Sequence, residues 1–85
     1  MQKVVIYTTP YCPYCRIAKR LLTKKGAPFE EIDVSGNWEL RDKLVEMSGG
    51  SVTVPQIWIG ETHVGGSDEL HALDREGKLD VLLAG

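Results

Sequence analysis

Long apolar runs are missing from this chain, and cysteine is confined to two positions, Cys12 and Cys15. No segment approaches the roughly 20 apolar residues of a membrane-spanning helix, so no membrane contact is expected. The early run Val4-Val5-Ile6 falls short of the roughly 7–15-residue core of a secretory leader, which makes the cytoplasm the expected location. In such a reducing compartment two cysteines are poor material for a disulfide framework and point to redox or metal chemistry. Histidine is scarce too: His63 and His71 stand further apart than the roughly 3–5 residues usual for a structural zinc site, which needs four ligands. No metal site is therefore expected.

Acid is absent from one end. Residues 1–28 carry six basic residues and no carboxylate, whereas 29–85 carry four basic and twelve acidic residues, for a net charge of −2. An acidic chain is a poor nucleic-acid binder, and the basic residues gather on one short predicted helix. Two readings stand open for them: a solvated face with cations near a helix C-terminus, or a field that draws anionic ligands to that end. With 85 residues, 42% of them hydrophobic, the chain is too short for two cores and too apolar for disorder, so a single domain over 1–85 is expected.

The order of elements follows from periodicity. Lys3 to Thr8 reads as a strand covered on both faces. From Pro13 to about Lys25 the residues Ile17, Ala18, Leu21 and Leu22 share one helical face, and Gly26 closes the helix. Phe29 to Val34 makes a second strand. Leu40, Leu44 and Met47 mark a second helix, with Trp38 packing at its start and Gly49-Gly50 at its end. Val54 to Ile59 and Thr62 to Val64 flank the turn pair Gly60-Glu61 as a hairpin. Ser67, an N-cap candidate, opens a third helix with Asp68 and Glu69 in its first turn, Leu70 and Leu73 inward and Gly77 at its end. Val81-Leu82-Leu83 closes the chain. A strand–helix–strand unit followed by a hairpin predicts an α/β fold with a mixed four-stranded sheet flanked by helices.

The two cysteines stand three apart, a spacing that chance placement would give only about 2% of the time. Cys12 falls where the first strand turns into a helix, and Pro13 suits the first helical position because the missing N–H had no partner there. Cys12 is thus the N-cap. Its sulfur meets unpaired N–H groups and the positive end of the helix dipole, which favour thiolate over thiol and make it the nucleophile. Cys15, one turn further in, is placed to attack a mixed disulfide on Cys12 and would be the resolving thiol.

Together, Cys12-Pro13-Tyr14-Cys15, Thr53-Val54-Pro55 and Gly65-Gly66-Ser67-Asp68, in this order and at these separations, resemble the three signature segments of the dithiol glutaredoxins. The likeness covers essentially the whole chain and is nearest to the short bacterial glutaredoxin 3 type. It implies a thioredoxin fold and glutathione as co-substrate, with no tightly bound cofactor and with NADPH entering only through glutathione reductase. It also implies that protein disulfides and protein–glutathione mixed disulfides are the substrates, with ribonucleotide reductase among the candidate clients, and that the chain works as a monomer.

By position, the resemblance makes Thr53, Val54 and a cis Pro55 the strand-like edge that pairs with the cysteinyl part of glutathione. A trans proline opening a strand is the competing expectation. Gly66, Ser67 and Asp68 would hold the γ-glutamyl end at a helix N-terminus, although capping alone also accounts for Ser67 and Asp68. Arg41 would pair with the glycine carboxylate or be a solvated helix residue. Tyr14 would lie over the tripeptide or be a surface aromatic.

Three departures from the family pattern stand out. Thr9 replaces a lysine common in relatives, the chain is one residue longer than close relatives at Gly49-Gly50-Ser51-Val52, and Ser67 stands where some relatives carry a further cysteine. The rival readings are a thioredoxin served by its own reductase and a [2Fe–2S] carrier built on two copies of Cys12 and two glutathiones. Pro13 disfavours the carrier.

Overall fold

A computed structural model describes residues 1–50 and 53–85. The order is β1 (Val4–Thr8), α1 (Pro13–Lys24), β2 (Phe29–Asp33), α2 (Trp38–Met47), β3 (Gln56–Ile59), β4 (Thr62–Gly65), α3 (Ser67–Arg75) and α4 (Leu79–Ala84). These are the expected elements in the expected order. The sheet runs β2-β1-β3-β4. β1 and β2 are parallel, with Val4 opposite Phe29 and Tyr7 opposite Ile32, a pairing that needs a crossover such as α1. β3 lies antiparallel to both β1 and β4. This mixed sheet with flanking helices is the thioredoxin fold.

Alternation along β1 and β3 divides the sheet into two faces. Ile6 lies opposite Ile57 and Val4 opposite Ile59, and all four join Ala18, Leu21 and Leu22 of α1, Leu70 of α3 and Leu79 and Leu83 of α4 in one core. Each fully buried Leu or Ile here contributes about 1.5–3 kcal/mol over the exposed side chain. The opposite face of β1 and β3 carries Val5, Tyr7, Gln56 and Trp58, in the pairs Val5–Trp58 and Tyr7–Gln56.

Some local expectations need correction. Ile17 is 42% exposed, Met47 49% and Trp38 71%, so Trp38 starts α2 without packing there and Leu44 is the helix's one buried residue. Asn37, not Trp38, organises that start: its side chain accepts from the Leu40 N–H at 3.0 Å. In α3 the cap is Gly66, and Ser67 is already the first helical residue. The suspected extra residue in Gly49-Gly50-Ser51-Val52 lies partly outside the described residues. No helix among those described is long and apolar enough to cross a membrane.

Candidate active site

β1 ends at Thr8 and the chain turns through Thr9, Pro10 and Tyr11 into α1. Cys12 caps that helix in an extended conformation (φ −94°, ψ 112°). Pro13 follows at the first helical position, where its fixed φ is already helical. The Cys15 N–H donates to Cys12 Sγ at 3.3 Å, using a backbone donor that has no partner inside the helix. From the other side the Cys12 thiol reaches the Val54 carbonyl at 3.5 Å, so one sulfur joins two segments 42 residues apart.

Cys15 has a different environment. It is 1% exposed, and both thiols are free. Burial pushes the Cys15 thiol up from 9.0 to about 12, reinforced by the hydrogen bond and charge of Cys12 and opposed by the Thr9 backbone and the Lys19 ammonium. Lys19 is itself held by Glu31 at 2.9 Å. The Thr8 hydroxyl donates to the same carboxylate oxygen at 2.8 Å, and the lysine and the hydroxyl together hold the Glu31 carboxyl below its ordinary range.

Val54–Pro55 is a cis peptide bond, and the loop it forms walls a cavity of about 300 Å³ lined by Tyr14, Thr53, Val54, Pro55, Gly66, Ser67, Asp68 and Glu69. Seven of the residues assigned from sequence to glutathione therefore meet around one hollow, and Cys12 reaches it through Val54. Arg41 on α2 is not among the lining residues. Larger hollows of about 490 Å³ beside α2 and 520 Å³ near the C-terminus contain no thiol. Among the described residues no group of three or more His, Cys, Asp or Glu could hold a metal ion.

Glu69 lines the cavity and was not a candidate from sequence. Its Oε1 accepts from the Gly66 N–H at 2.7 Å, fixing the entry to α3. The signal was present as Gly66-x-x-Glu69, a capping-box spacing with glycine where Ser or Thr is usual. Gly65 holds φ at +108°, which favours glycine, and a Cβ there would sit 2.9 Å from Glu69 Oε1; at Gly66 a Cβ would meet the same oxygen at 3.2 Å, so a side chain at either position would displace the capping carboxylate. Ser67 is 5% exposed, and His71 Nδ1 donates back to its carbonyl at 2.7 Å.

A capping thiol with a buried partner one turn behind it, on this fold and against a proline loop, defines the thiol–disulfide oxidoreductases of thioredoxin type. Within that class the family is also clear. The glutaredoxin family profile matches residues 4–64, and the chain belongs to the glutaredoxin family. A glutaredoxin of Pseudomonas aeruginosa is 63% identical over 84 residues, covering 99% of each chain. Glutaredoxin 3 of Escherichia coli K12 is 49% identical over 83 residues, 98% of this chain and 99% of its own. A buckwheat glutaredoxin, solved as a glutathione complex, superposes with a TM-score of 0.89 at 31% identity, over 95% of this chain and 76% of its own. The protein is a glutathione-dependent thiol–disulfide oxidoreductase.

Proposed function

We propose that Cys12 is the nucleophile and Cys15 the resolving thiol of a single-domain glutaredoxin acting on protein disulfides and glutathionylated proteins in the cytoplasm. The observation that carries this reading is the asymmetry between the sulfurs. Cys12 is partly exposed and takes a hydrogen bond from the Cys15 N–H, which serves a thiolate better than a thiol. Cys15 is buried and kept protonated.

With a glutathionylated protein, the Cys12 thiolate attacks the glutathione sulfur, a new S–S bond forms, and the client leaves as a thiolate that takes up a proton. A second glutathione then attacks that sulfur, releases Cys12 and departs as glutathione disulfide. With a protein disulfide, Cys12 instead forms a mixed disulfide with the client. Its sulfur then has neither charge nor proton, so the hydrogen bond and the repulsion that help hold Cys15 near 12 are gone. Burial remains, and Lys19 still favours the anion. Cys15 attacks Cys12 Sγ, expels the client thiol and leaves a Cys12–Cys15 disulfide, which two glutathiones reduce. NADPH enters through glutathione reductase, and ribonucleotide reductase is a candidate client.

In the cavity Val54 would pair its backbone with the cysteinyl part of glutathione, flanked by Thr53 and Pro55. The N-terminus of α3 at Gly66 and Ser67 would take the γ-glutamyl carboxylate, Asp68 its ammonium, and Tyr14 would cover the tripeptide. Arg41, outside the cavity lining, would reach the glycine carboxylate from α2. One set of assays tests the scheme: reduction of a glutathionylated peptide and of a protein disulfide, by wild type, Cys12→Ser and Cys15→Ser. Cys12→Ser should lose both activities, and Cys15→Ser should keep the first and lose the second. Full activity in Cys12→Ser refutes the assignment.

A further inference from the structure

Gln56 opens β3 immediately after Pro55 and is 2% exposed. A primary amide buried this deeply is costly unless its groups are paired. Its Nε2 donates to the Thr53 carbonyl at 3.0 Å and lies 3.4 Å from the Thr53 hydroxyl, and its Oε1 is 2.7 Å from His63 Nε2. A carbonyl can only accept, so the amide must turn its NH2 toward Thr53 and its oxygen toward His63, and His63 must donate from Nε2. The imidazole is also held from its face. His63 stands opposite Trp58 in the β3–β4 register and stacks on the indole with centroids 4.5 Å apart and planes at 27°. The indole in turn meets Tyr7 edge-on at 5.4 Å.

The Thr53 carbonyl and the Val54 N–H are the two ends of one planar peptide unit. Among the described residues the one cis bond is the next, Val54–Pro55, so in this trans unit C=O and N–H point in opposite directions. Holding the carbonyl toward Gln56 therefore aims the Val54 N–H away from it, and donation to the oxygen polarises the same amide and makes it a better donor. Val54 lines the cavity, and its own carbonyl faces Cys12 Sγ.

We propose that Gln56, held by His63, is a positioning residue for glutathione: it orients the Thr53–Val54 peptide so that the Val54 N–H is presented to the cysteinyl part of the tripeptide. This rests on the reading of Val54 given under Proposed function. Neither Gln56 nor His63 lines the cavity, so both act through the peptide they orient.

The test is steady-state reduction of a glutathionylated peptide, with KM and kcat resolved, by the full chain and four variants. Gln56→Leu keeps the volume and loses the amide's hydrogen bonds to Thr53 and His63. The net worth of a hydrogen bond converts to a KM about threefold to tenfold higher, with kcat within about twofold. His63→Phe keeps the ring against Trp58 without a donor and should raise KM in the same direction by less. His63→Gln restores a donor at the position of Nε2 and should return KM to near wild type. Cys12→Ser is the control on the proposed function as a whole: if it stays active, the site as read there, Val54 included, has failed and the inference falls with it. If Cys12→Ser is inactive while His63→Phe leaves KM unchanged, or lowers kcat alone, only the positioning role is overturned. His63 is exposed, so its two variants decide the matter even if Gln56→Leu does not fold.

Discussion

In the Cys12→Ser variant Cys15 is the sole thiol, and its alkylation reports how strongly the fold opposes its ionisation. The thiol is raised from 9.0 to about 12, with burial the largest cause. At pH 8 a thiol at about 12 holds roughly one part in ten thousand as thiolate, about a thousandfold less than at its ordinary value, and only the thiolate reacts. Replacing Cys12 removes its two contributions and leaves burial, so the deficit shrinks without vanishing. Pseudo-first-order rates with iodoacetamide, followed by intact mass, should lie at least about tenfold below those of the same protein unfolded in urea. They should keep rising with pH from 8 to 10.5, whereas the unfolded thiol levels off above about pH 9.5. In wild type a single adduct should form, on Cys12. The sign for stability agrees: neutral Cys15 contributes fully below its unfolded value near 9, and that contribution drains away as pH climbs toward about 12. A Cys15 rate that levels off near pH 9, or matches the unfolded chain, refutes the assignment of a buried resolving thiol.

Other expectations follow from individual contacts. Asp68→Asn should raise the KM for glutathione about threefold to tenfold, the value of an exposed charge-assisted hydrogen bond, and an unchanged KM would show that the ammonium is held elsewhere. The Glu31 carboxyl is held below 4.5, first by Lys19 and then by Thr8. Its stabilisation is therefore present above that value and lost as pH falls through the lower folded one. Glu31→Gln should flatten urea-measured stability against pH below about 4.5, and an unaltered slope would count against the pairing. Leu22→Ala, at a position with no exposure, should cost about 2–5 kcal/mol in urea denaturation; a loss under about 1 kcal/mol would mean that the core relaxes around it.

Much of this molecule is legible from sequence because its punctuation is strong. Gly26, Gly60 and Gly77 all adopt positive φ at the predicted breaks, and Cys12-Pro13 marks a helix start by chemistry alone. Face assignments were weaker for a physical reason. Periodicity shows that Ile17, Trp38 and Met47 could share a side with buried residues, but the tertiary partner decides whether that side is covered. The α3 cap is Gly66 and not Ser67: glycine offers no side chain to recognise, while the Ser67 hydroxyl next door is an attractive but incorrect candidate. The chain from His63 through Gln56 to Thr53 needs the β3–β4 register and its irregularity between Ile57 and Trp58, which no local pattern encodes.

Half of the basic residues in the acid-free segment are paired within the fold. Lys3 meets Glu30 at 3.5 Å, Lys19 meets Glu31 at 2.9 Å, and Lys25 clasps Asp74 at 2.6 Å and Asp80 at 3.2 Å. Each cation comes from the acid-free first 28 residues and each partner from beyond them. During synthesis, then, residues 1–28 are made before any of these carboxylates. At about 5–20 residues per second, Lys25 waits several seconds for its carboxylates. Its clasp closes only once α4 has been made, so the electrostatic halves of the protein are joined in the order in which they are translated.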